Sequence, residues 1–83
     1  MNLKNNIAIS DSGFVFNPAS GESFSVNPIG LEMLNHIRQG QSIEEIVNSI
    51  EKDFQVEKSV IERDLHDFID MMSQYHLIQN EEE

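Results

Sequence analysis

The stretch ESFSVNPIG, residues 22–30, passes from an alternating strand pattern straight into a helix start. Phe24 and Val26 make one apolar face, and Ser23 and Ser25 make a hydroxylic one, the period-two pattern of a half-buried strand. Asn27 suits the N-cap, where its side-chain oxygen takes a backbone N–H of the first turn. Pro28 suits the first helical position, where its missing N–H is not needed. A strand joined to a helix without a loop has its place on the helical layer set by the cap. What lies along its other edge is left open by the stretch itself.

Upstream, Ile7, Ala8 and Ile9 read as the end of a first strand, and FVF (14–16) as a second. Between them, SDSG (10–13) is turn chemistry, with side chains that bond nearby backbone and a glycine that tolerates positive φ. NPASG (17–21) is a second turn. Connections this short force antiparallel neighbours, so the first third of the chain is a three-stranded meander.

The remainder reads as helical. A first helix runs from Pro28 to about Gln39, with Ile29, Met33 and Ile37 on one side, Leu31 and Leu34 on another, and Gly40 placed to end it. SIEE (42–45) is a capping box, and Ile43, Ile46, Val47, Ile50 and Phe54 follow it at helical spacing. A third helix spans roughly 57–75, with Ile61, Leu65, Phe68, Ile69 and Met72 inward and Val60, Asp64, Met71 and Tyr75 along an adjacent stripe. Leu77 and Ile78 form a short extended tail that packs back on the core, and NEEE (80–83) is a solvated end. The expected fold class is α+β: a small domain of a three-stranded antiparallel meander followed by three helices. It occupies residues 1–83 as one unit, with its core in 7–78 and an acidic tail over 79–83.

Composition narrows the function. The 83 residues contain no cysteine, which removes disulfides, thiolate metal sites and a cysteine nucleophile. The start, MNLKNNIAIS, lacks the apolar run of a signal peptide, and no stretch approaches the roughly 20 apolar residues of a membrane span. A soluble cytoplasmic protein is expected. The formal net charge is −10, from 15 acidic and 5 basic residues. Phosphates are neutralised by Lys and Arg, and this chain repels them. The surplus is either a solvated surface or the complement of a partner segment carrying positive charge.

No catalytic constellation emerges. His66 and Asp70 stand four apart on the third helix, but zinc needs further ligands and neither cysteine nor an H-E-x-x-H pattern supplies them. Ser23 and Ser25 lie in a strand without the G-x-S-x-G elbow that activates an alcohol, and they read as its wet face. The four glycines are scattered singly, so no phosphate-cradling loop is present. The carboxylates of the third helix form a solvated face rather than a paired acid and base. The expectation is a protein that is not an enzyme and holds no cofactor or metal.

The order of elements resembles a known family. GESFSVNPIGLEMLNHI (21–37), then GQSIEEIV (40–47), then LHDFIDMMSQYHLI (65–78) is similar to the pyrroloquinoline quinone biosynthesis protein D (PqqD-like) family. Val26-Asn27 stands for its Leu-Asn, Gly30 for its helix glycine, and Met33-Leu34 for its apolar pair. Ser42 with Glu45 stands for its helix start, and Phe68-Ile69, Met72 and Leu77-Ile78 complete the end. The likeness covers about residues 7–78. One departure is His76, where the family commonly has a glycine that ends a helix in the left-handed conformation.

The resemblance implies a winged-helix-like fold and a non-catalytic peptide chaperone. Such a protein binds the leader of a ribosomally made precursor and presents it to a modifying enzyme, often of the radical S-adenosylmethionine type. The leader adds as an antiparallel strand along the third strand, beside the third helix, which would satisfy an orphan sheet edge. On that basis the backbone of Glu22, Ser23, Phe24, Ser25 and Val26 pairs with peptide, and Val60, Asp64, Asp67 and Met71 line the facing wall. Phe24 and Val60 are equally readable as plain core, and Asp64 and Asp67 as ordinary solvated charges. Two other functions compete. A winged-helix transcription regulator would also expose its third helix, but here that helix carries Glu57, Glu62, Asp64, Asp67 and Asp70 against Lys58 and Arg63. An accessory subunit that docks on a larger enzyme without touching peptide is the third reading.

Overall fold

The computed structural model describes residues 2–4 and 6–79. Strands β1 (Asn2–Leu3), β2 (Ala8–Ile9), β3 (Phe14–Asn17) and β4 (Glu22–Ser25) precede helices α1 (Pro28–Arg38), α2 (Ile43–Phe54) and α3 (Lys58–Gln74), and β5 (Ile78–Gln79) closes the order. The architecture is α+β, an antiparallel sheet in the order β2-β3-β4 with three helices after it. The expected NEEE end lies outside the described residues.

The meander is held by its turns. Gly13 has φ +93°, and a Cβ there would meet the Val26 carbonyl oxygen at 2.5 Å, so only glycine lets the β2–β3 turn lie against the end of β4. The same approach brings the Val26 N–H to the Gly13 carbonyl at 2.8 Å. At the other turn the buried Asn17 accepts the Ala19 N–H on its Oδ1 at 3.0 Å, and its carbonyl accepts the Gly21 N–H at 2.8 Å.

Helices α1 and α2 start where their sequence signals stand. Asn27 Oδ1 accepts the Gly30 N–H at 2.7 Å, fixing α1 directly to β4. Ser42 and Glu45 form the reciprocal capping box of α2, at 3.2 and 2.8 Å. The helix ends also have physical causes. Gly40, at φ +80°, donates to the Ile37 carbonyl while Gln41 donates to that of His36. At the end of α3, His76 takes the same role at φ +61°, donating to Ser73 while Leu77 donates to Met72. These paired bonds are the Schellman arrangement, and it persists at His76 although that residue carries a Cβ.

The core gathers Val15 from the sheet, Met33, Leu34 and Ile37 from α1, Ile46, Val47 and Ile50 from α2, and Ile61, Leu65 and Met72 from α3. Two expectations need correction. Ile43 and Phe54, placed by spacing on the inner stripe of α2, are exposed at its first and last residues. The tail is more than extended: Leu3 pairs with Ile78 in a two-stranded antiparallel sheet, and both side chains are buried with Leu77.

Candidate functional site

Strand β4 ends the sheet, and among the described residues no strand pairs with its far edge. Ladder geometry decides which groups it presents there. Val26 donates to Gly13, so that pair faces inward, while the Phe14 carbonyl accepts from Ser10 and is turned toward β2. Antiparallel pairs alternate between exchanging both bonds and exchanging none. With Ser25 opposite Phe14, Phe24 opposite Val15 and Ser23 opposite Phe16, Phe24 bonds to β3. Ser23 and Ser25 therefore direct their N–H and C=O groups to the open edge.

Side chains alternate in the same way. Phe24 and Val26 are half-buried on the helical side, while Ser23 and Ser25 are exposed on the other. Beside the edge runs a cleft of about 410 Å³, lined by Ser25, Val26 and Asn27, by Ile29, Gly30 and Met33 of α1, and by Asp64, Asp67, Phe68 and Met71 of α3. Gly30 lines it without a side chain, which lets α1 lie close against the end of β4. A Cβ there would stand 3.1 Å from Val26 Cβ, 3.2 Å from Asn27 Oδ1 and 3.5 Å from the Phe68 ring.

Asp64 and Asp67 make part of the cleft wall acidic, and outside its lining the Tyr75 ring stacks on Phe24 with centroids 5.9 Å apart. Asp64 Oδ1 lies 4.0 Å from Arg63 Nε, with both side chains well exposed. A pair so long and so wet is weak and leaves the carboxylate free to meet another cation.

Of the residues singled out from sequence, Ser25, Val26, Asp64, Asp67 and Met71 share the cleft. Glu22, Ser23 and Phe24 belong to the edge strand outside the cleft lining, and Val60, half-buried near the start of α3, does not line it. Sequence reasoning assigned Ile29, Met33 and Phe68 to the interior; Met33 is buried in the core and also lines the cleft floor, whereas Ile29 and Phe68 are half-buried in the cleft wall. The available signal was their excess: α1 carries apolar residues on two faces, more than one packing surface requires. Among the described residues no three His, Asp or Glu side chains gather as a metal site, and no helix is long and apolar enough to cross a membrane.

The family described as coenzyme PQQ synthesis protein D (PqqD) matches residues 13–78. No curated protein matches the chain. Two solved structures share its fold. TbiB1, solved in complex with the TbiA(beta) leader peptide, is 24% identical with a TM-score of 0.85, over 96% of both chains. Lasso peptide synthetase B1, complexed with the leader peptide, is 18% identical with a TM-score of 0.81, over 95% of this chain and 96% of that one.

Proposed function

The chain belongs to the coenzyme PQQ synthesis protein D (PqqD) family, and from that premise we propose that it is a non-catalytic adaptor for the leader of a ribosomally made precursor peptide. The observation that carries this is the edge of β4, where Ser23 and Ser25 turn outward N–H and C=O groups that no strand among the described residues pairs, beside a preformed, largely apolar cleft. An extended peptide pairing there gains backbone bonds from the edge and selectivity from the cleft. Two fold neighbours were solved with leader peptides, which supports the same reading.

The peptide's own alternation follows from the sheet. Side chains on the helical side fall every second residue, so two positions enter the cleft. One meets Ile29, Phe68 and Met71 and suits an apolar group. The other lies by Asp64 and Asp67 and suits Lys or Arg. The partner to which the leader is presented is a modifying enzyme, and the family resemblance makes a radical S-adenosylmethionine enzyme the candidate. The protein works in the cytoplasm, as a single domain with no cofactor.

Amide hydrogen exchange with and without the leader peptide tests the reading. In the free protein Ser23 and Ser25 should exchange fast and Phe24 and Val26 slowly. Saturating leader should slow Ser23 and Ser25 at least tenfold. Calorimetric binding without that protection would place the peptide elsewhere.

A further inference from the structure

The opposite face of the sheet takes no part in the site above. Phe14 and Phe16 flank buried Val15 on β3, so both rings stand on the outer face, 50% and 39% exposed. Their cross-strand neighbours are small: Ser25 opposite Phe14, with Ser23 and Ala8 on either side of Phe16. None is tall enough to cover a phenyl ring. Single exposed apolar side chains are ordinary, but two aromatic rings adjacent on one sheet face make a patch of the kind that marks an interaction surface.

The surroundings of the patch define its occupant. Asp11 is exposed in the β2–β3 turn that leads into Phe14, and residues 5–37 contain no Lys or Arg. An aromatic centre with an acidic border matches an apolar recess bordered by basic residues. It does not match a second copy, since each copy carries a net charge of −10 and would set carboxylates against carboxylates. The patch is also continuous with the β4 edge. A strand added there extends the sheet, and its outward side chains stand next to Ser23 and Ser25 on the same face as the two rings.

We propose that the outer face of the sheet, centred on Phe14 and Phe16, docks the modifying enzyme through an apolar, basic-bordered recess. The enzyme then touches the adaptor and the outward side chains of the bound leader on one continuous surface. The enzyme's identity as partner rests on the function proposed above, whereas the docking face rests on the exposed rings and their acidic border.

The test uses a leader peptide and a purified modifying enzyme from the same organism as separate probes. The variants are Phe14→Ser with Phe16→Ser, the ring-retaining Phe16→Tyr, and Asp11→Lys in the exposed turn. Calorimetry with the leader reads the β4 edge, and interferometry with the immobilised enzyme reads the outer face. The double variant should bind leader within twofold of the parent and lose enzyme affinity tenfold or more. Phe16→Tyr should stay within threefold of the parent, and Asp11→Lys should weaken the enzyme more at low salt than at high salt. If the double variant melts early, Asp11→Lys alone decides. Parent-like enzyme binding by the folded variants overturns the docking face. Sedimentation showing a parent dimer that the double variant abolishes assigns the face to a second copy and also overturns it. Failure of the parent to bind leader overturns the adaptor reading alone, because the enzyme arm still reads the docking face.

Discussion

Phe24 and Tyr75 stack with ring centroids 5.9 Å apart and planes inclined by 25°, joining the edge strand to the residue that caps α3. Asn27 joins the same strand to α1 at its other end. The edge strand is therefore tied to the helices at two points before any peptide arrives, which lowers the ordering cost of binding. Tyr75→Ala removes one tie. An aromatic pair contributes roughly 0.5–1.5 kcal/mol, so about 1 kcal/mol of stability should be lost in urea unfolding, and leader affinity should fall several-fold.

A proline scan separates the two sides of the edge strand. Ser25 bonds to nothing in the ladder through its N–H, so Ser25→Pro should fold and melt close to the parent, since edge positions tolerate proline. Its leader affinity should drop more than tenfold, about 1.4 kcal/mol. Phe24→Pro removes a bond to β3 and should fail to give a cooperative melt. The reverse pattern would invert the ladder assignment.

Gly30 lets α1 lie close against Val26 and Asn27 at the cleft wall. The two atoms its missing Cβ would crowd are both pinned, Val26 by its bond to Gly13 and Asn27 by its cap bond. Gly30→Ala therefore gains helix propensity, about 1 kcal/mol, but meets overpacking of roughly 1–3 kcal/mol. A net loss of stability near 1 kcal/mol is expected by chemical denaturation, with weaker leader binding. A stabilised variant with parent-like affinity would show that the wall yields.

The acidic part of the cleft wall should read charge. Asp64→Lys places a cation where the leader's basic side chain is proposed to sit. Affinity for a leader with Lys or Arg should fall, and the gap from the parent should narrow between about 0.05 and 0.5 M salt, because exposed charges are screened. A gap that does not change with salt would assign Asp64 a packing role.

His76 stands at φ +61°, where a side chain is strained and glycine is not. His76→Gly should stabilise the protein by about 1 kcal/mol, a rise in Tm of roughly 4–8 °C for a domain of this size. The Schellman bonds to Ser73 and Met72 should persist, and leader binding should be unchanged.

The sequence by itself determined what depends on a few neighbouring residues. The Asn27-Pro28 start and the Ser42–Glu45 capping box each join residues three positions apart, and the end of α1 rests on the single residue Gly40, so their signals are local and were legible. The meander followed from two turns whose chemistry lies within their own residues. Tertiary structure alone decided the rest. Whether Ser25 or Phe24 turns its N–H outward depends on ladder parity, and that parity is set by Val26 meeting Gly13 across the sheet. The β1–β5 pair joins opposite ends of the chain through strands of two residues, too short to show any period. Hydrophobicity placed Phe68 and Ile29 inside, but whether a given apolar residue is covered or forms a cleft wall depends on how far apart α1 and α3 stand, which no local pattern records. Within FVF the pattern required one face in and one out. Only the packed sheet put the smaller Val15 in the core and left both phenylalanines outside.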